Sequence, residues 1–147
     1  MRRHAGFTLL ELMVVIGILG IMAVTAIPLY HAYQQRAYGS EAALMVKQII
    51  DAQVMYFLER SKFFPEDGQS MSVYRDDPPS KPEILAIKSA LNVLIPVGHF
   101  LDYHIQTFPG TADGSCTVVV SADFPLFQDG SKQIGATVDS TGKVISF

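Results

Sequence analysis

The groups with which this chain of 147 residues could do chemistry are four histidines, one cysteine and fourteen carboxylates. His4, His31, His99 and His104 are scattered, and none stands at metal-ligand spacing from a second strong donor. They read as solvent-facing or locally bonded histidines. Cys116 opens a valine-rich run, where a thiol is a small buried hydrophobe, and as the sole cysteine it excludes an intramolecular disulfide. Asp123, Asp129 and Gly130 offer the oxygens and the turn that calcium sites use, but their spacing matches no recognisable calcium loop. There is no glycine-rich phosphate loop and no nucleophile elbow. No enzymatic activity, cofactor or metal is expected. The carboxylate in the least ordinary setting is Glu11, the only charge in the 23 residues from Phe7 to Leu29. An ionised side chain at the centre of a membrane helix costs about 2.5–3.5 kcal/mol on insertion scales, so such a group is usually kept for a purpose. Glu11 lies near one end of the span and can reach the interface, which lowers that cost. Its available chemistry is charge pairing: among packed apolar helices an unpaired carboxylate is expensive and needs a partner.

The element carrying Glu11 is the dominant feature of the chain. Hydrophobic residues make up 49% and charged residues 17%, and the apolar excess is concentrated at the N-terminal end. At about 1.5 Å rise per residue, Phe7–Leu29 spans the ~30 Å hydrocarbon core of a bilayer with some tilt. Arg2 and Arg3 precede it, which leaves the N-terminus cytoplasmic and the remainder outside. A cleaved secretory signal, with a cut near Ala26, is one reading of this segment, opposed by Glu11 and by Pro28 just beyond that cut. A plain signal anchor is another; it accounts for the length and leaves Glu11 without a role.

Past the span, Tyr30 and Tyr33 suit the headgroup level. Val46, Ile49, Ile50, Val54, Phe57 and Leu58 then recur at helical spacing, with Gln48, Asp51 and Glu59 off that stripe. One long helix from about Thr8 to Arg60 is expected, with Gly39-Ser40 a weak point and the Phe63–Gly68 stretch ending it. Proline in a helix removes a hydrogen bond and kinks it, so Gly20 and Pro28, together with Gly17, are expected to soften the first half. The stretch from Gln69 to Pro79 reads as a polar loop. Ser80 is placed to cap a second helix, with Glu83 at capping-box spacing, an apolar face of Ile84, Ile87, Leu91 and Leu94, and a stop at Pro96–Gly98. The period then changes to two. Leu101, Tyr103, Ile105 and Thr107 alternate with Asp102, His104 and Gln106, and Cys116, Val118 and Val120 share one side of the next strand. A turn is expected over Pro109–Gly114, a loop around Pro125, Asp129 and Gly130, and a closing hairpin of Ile134–Asp139 and Lys143–Phe147 about Ser140-Thr141-Gly142. The fold class is α+β: a long N-terminal helix packed on a C-terminal antiparallel sheet of about four strands.

The string Gly6-Phe7-Thr8-Leu9-Leu10-Glu11 resembles the processing signal of type IV pilins and the related pseudopilins, and the resemblance extends through Gly20 and Pro28 to about Tyr33. It implies that a dedicated membrane peptidase, the prepilin peptidase, cuts between Gly6 and Phe7 and methylates the new amine of Phe7. The chain then divides into a leader at 1–6, a transmembrane and assembly half-helix at 7–29, and a globular periplasmic or extracellular domain at 30–147. Glu11 falls where the family keeps its glutamate, and the resemblance implies that it pairs with the Phe7 amine of a neighbouring subunit and sets axial register. The implied partners are other copies of this chain in a helical filament, the peptidase, and the assembly machinery of a pilus or secretion system. The implied location is the inner membrane before assembly, and an extracellular pilus or periplasmic pseudopilus afterwards. The lone cysteine departs from the many family members that staple a loop near the C-terminus with a cysteine pair, so the last hairpin here has to be held by pairing and burial. The aromatics Phe7, Tyr30, Tyr33, Tyr38, Tyr56, Phe57, Phe63 and Phe64 along the helix read as packing and interface anchors.

Two functions remain open: a structural subunit of a surface pilus for adhesion, motility or uptake, and a pseudopilin of a type II secretion system. A single-pass anchored envelope protein is a further alternative. A formal charge of −3, which becomes −5 when Arg2 and Arg3 leave with the leader, gives no general attraction to nucleic acid.

Overall fold

The computed structural model describes residues 7–66, 68–96, 98, 100–109 and 114–147. The expectations placed on Gly6, Arg2, Arg3, His4 and His99, and residues 110–113 of the turn expected over Pro109–Gly114, lie outside the described residues. The chain divides into two compact units between Gln34 and Gln35.

Helix α1 covers Leu9–Arg60, close to the expected bounds. In the first unit the side chains are exposed from Phe7, just before the helix, to Tyr33, and the apolar run is long enough to cross a membrane. The helical assignment continues without interruption through Pro28. In the second unit one face of α1 is buried: Gly39, Ala42, Met45, Val46, Ile49, Ile50, Gln53 and Tyr56. Steps of three and four place these residues in one stripe. Leu58, expected on that stripe, is 72% exposed. Gly39 is a tight contact and no weak point. A Cβ built there would sit 2.5 Å from the carbonyl oxygen of Leu126, so the absence of a side chain lets the loop approach the helix backbone. The helix stops earlier than Pro65 or Gly68 require. Ser61 takes the left-handed conformation, φ 56°, and donates its N–H to the carbonyl of Phe57 at 2.7 Å.

The sheet has five antiparallel strands in chain order: β1 (Ser70–Val73), β2 (Asp102–Phe108), β3 (Ser115–Ser121), β4 (Gln133–Asp139) and β5 (Val144–Ser146). The strand beyond the expected four is β1, inside the stretch read as a polar loop. Ser-Met-Ser-Val is too short and too polar to declare itself, and it becomes a strand by pairing residue for residue with Tyr103–Gln106. The alternation read for β2 and β3 holds. Tyr103, Ile105 and Thr107 are buried opposite Val120, Val118 and Cys116, and Ala136 and Val138 continue the same inner face on β4. These side chains meet the stripe of α1 in one hydrophobic core.

Helix α2 covers Pro82–Leu91 and buries Ile84, Ile87 and Leu91. Its cap differs from the expected box. Lys81 stands at the N-cap with no side-chain cap bond, and Pro82 fills the first helical turn, where its missing N–H costs nothing. Lys81 Nζ is drawn instead to Asp77, at 2.8 Å, and to the carbonyl of Ser72. Asn92, at φ 53°, ends the helix well before Pro96, so Leu94 lies past the helix and is 66% exposed.

Candidate functional site

At the N-terminal end of α1, Thr8 and Glu11 form a capping box. Glu11 Oε2 accepts from the backbone N–H of Thr8 at 2.9 Å and from its hydroxyl at 2.8 Å, while the Glu11 N–H reaches back to Thr8 Oγ1 at 3.2 Å. The Leu12 N–H closes the first helical turn on the Thr8 carbonyl at 3.2 Å. The free N–H groups at a helix start favour a nearby negative charge. The spacing Thr-x-x-Glu is the sequence signal for this box, which the isolation of Glu11 in an apolar span draws attention away from. Phe7, 76% exposed, immediately precedes this cap. The structure thus brings Phe7 and Glu11 to one helix terminus and gives Glu11 a partner within its own chain. Gly17 and Gly20 border open space: a Cβ added at either would meet nothing within 4 Å, so no close contact requires glycine there.

In the second unit the functional side chains are structural clamps. Gln53, fully buried on α1, donates through Nε2 to the carbonyl of Phe64 and accepts the Phe64 N–H at Oε1 at 3.0 Å. It holds the segment that leaves the helix in place of backbone pairing. Sequence reasoning missed it, although Gln53 lies three residues beyond Ile50 on the apolar stripe, and that position was the available signal. Thr107 works from the sheet side, donating its hydroxyl to the carbonyl of Pro65 at 2.7 Å.

The aromatics sort into local groups. Phe57 stacks on Phe63 with centroids 4.6 Å apart, Tyr56 meets Phe64 edge-on, and Tyr38, Phe100 and Phe124 form a mutual edge-on trio at 5.2–6.0 Å. Most of these partners lie outside the helix, as packing requires. His104 on β2 shares a hydrogen bond of 2.7 Å with the hydroxyl of Ser72, a locally bonded histidine.

The groups considered for calcium are engaged separately. Asp123 pairs with Arg75, and Asp129 accepts the Ser131 N–H at 2.9 Å. Among the described residues no three histidine, cysteine or carboxylate side chains converge to hold a metal. Cys116 is fully buried, and burial pushes its thiol up to about 12, which leaves it protonated and unreactive. Burial, with the nearby charge of Glu41, likewise raises the phenol of Tyr103 above its ordinary value.

Residues 1–27 match the family model described as the prokaryotic N-terminal methylation motif. Over about half its length the chain is similar to type IV pilins. It is 45% identical over 75 residues to the type IV major pilin protein PilE1 of Neisseria gonorrhoeae, covering 51% of this chain and 44% of that protein. It is 43% identical over 61 residues to the type IV major pilin protein PilA of Myxococcus xanthus, covering 42% and 28%. Against the type II secretion system core protein G of Aeromonas hydrophila it is 35% identical over 82 residues, covering 56% and 57%. The chain therefore spans less than half the length of these major pilins. No solved structure matches it.

Proposed function

We propose that the chain is a structural subunit of a type IV pilus, made as a membrane-anchored precursor and polymerised through α1. The observation that carries this reading is the exposed apolar stretch from Phe7 to Leu29, nearly all of it in α1, whose one charge, Glu11, sits at the helix start. An exposed apolar surface of that length needs lipid or other helices around it. In this reading the leader at 1–6 stays cytoplasmic, the prepilin peptidase cuts between Gly6 and Phe7, and Phe7 is N-methylated. The segment 7–29 anchors the precursor in the inner membrane, and 30–147 is the exported domain. On assembly Glu11 exchanges its bonds to Thr8 for the charged amine of Phe7 on a neighbouring copy, which penalises misaligned neighbours more than it adds stability. Gly20 and Pro28 soften the helix as it leaves lipid for the polymer. No enzymatic step belongs to this role.

The experiment is to shear filaments from cells that make the chain and determine the subunit mass and N-terminus. The expected product begins at N-methylated Phe7. Glu11→Ala is expected to insert in the membrane at normal levels and to reduce filament number severely. Normal filament numbers from that variant, or a mature N-terminus elsewhere, would overturn the reading.

A pseudopilin of a type II secretion system is the second reading. It is favoured by the match to core protein G, which covers a larger share of its relative than the pilin matches do. A strain lacking the chain that keeps its surface filaments and loses protein secretion would select it.

A further inference from the structure

Strand β5 is one of the two edge strands of the sheet and only three residues long. Val144, Ile145 and Phe147 are 49%, 56% and 61% exposed, so little burial holds this segment down. Short edge strands with few buried contacts open first. Two contacts stand at its ends. At the turn, Asp139 Oδ1 accepts from the N–H and hydroxyl of Thr141, at 2.9 and 2.6 Å, and from the N–H of Lys143 at 2.9 Å. The Thr141 hydroxyl, then the Lys143 N–H, hold this carboxyl below its ordinary range.

At the far end Gly135 and Phe147 exchange both backbone hydrogen bonds at 3.0 Å. A glycine inside a strand normally weakens it, because there is no side chain to pack. Here the ring of Phe147 occupies the vacated place, with Cε2 and Cζ each 2.8 Å from where a Cβ of Gly135 would sit. Gly135 is buried although it belongs to the row of β4 that faces away from the core. An aromatic ring laid over a strand glycine is a known means of pinning register at a sheet edge.

We propose that Phe147 is a clasp: its ring, seated on Gly135, locks β5 to β4 in a sheet that has no covalent staple. The only cysteine, Cys116, is buried in β3 and cannot serve. When the clasp is open, β5 detaches as a unit and the backbone edge of β4 is unpaired.

The test is hydrogen exchange followed by mass spectrometry on the full-length chain in detergent micelles. Phe147→Ala is expected to speed exchange in the 133–147 region by about tenfold or more while β2 and β3 keep their protection. Phe147→Leu, which keeps an apolar group without the flat ring, is expected to fall between. Gly135→Ala also displaces the ring, so its effect combined with Phe147→Ala is expected to be less than the sum of the two; part of the cost remains because the Val118 carbonyl lies 2.9 Å from the same Cβ position. Exchange in 133–147 within about twofold of wild type for Phe147→Ala, additive effects in the double variant, or a uniform loss of protection across the sheet would each overturn the clasp.

Discussion

Gln53 carries a polar side chain to the middle of an apolar stripe, and its two bonds to Phe64 explain why it is tolerated there. A buried amide with both ends satisfied is cheap, whereas backbone groups left unpaired by its removal are costly. Gln53→Leu keeps the volume and strands the N–H and C=O of Phe64. The variant is expected to lose about 2–3 kcal/mol, read as a lower midpoint in denaturant unfolding. A midpoint equal to wild type would show that water replaces the amide at no cost. Thr8 and Glu11 present the complementary case. The carboxylate that looked bare in the sequence is bonded within its own first turn, so any outside partner has to displace Thr8 to reach it.

At the scale of elements, Gly39 sets two effects against each other. Glycine inside a helix is worse than alanine by about 0.8–1.0 kcal/mol, so on propensity alone Gly39→Ala stabilises α1. The new Cβ would meet the Leu126 carbonyl oxygen at 2.5 Å, and backbone cannot step aside as a flexible side chain can. Overpacking of this kind costs about 1–3 kcal/mol, so the clash prevails and Gly39→Ala is expected to lower the melting temperature. A rise would mean that the loop bearing Leu126 yields freely. The other elements divide by the reach of their determinants. The alternation of β2 and β3 and the stripe of α1 were legible because they are periodic over many residues. Strand β1 was not, because four residues of weak propensity become a strand only when β2 offers an edge. The cap of α2 was misplaced because Ser80 had the right chemistry one position too early, with Pro82 enforcing the helix start.

For the whole molecule, the division between Gln34 and Gln35 separates a segment exposed over its apolar length from a unit that has its own core. A fragment of residues 35–147 is therefore expected to be soluble without detergent and to unfold cooperatively. Its melting temperature is expected to be the same with and without reductant, since Cys116 is the sole cysteine. Aggregation of this fragment, or a broad transition, would show that the first half of α1 is needed for the fold. The sequence by itself determined the apolar span, the placement of Glu11, the long helix and the α+β class, because each rests on composition or on a period repeated along contiguous residues. Only the tertiary structure decided the fifth strand, the clamp at Gln53, the contact at Gly39 and the seat of Phe147 on Gly135. Each of these depends on which segments meet in the folded chain, a matter of three-dimensional proximity that local propensity and periodicity do not fix.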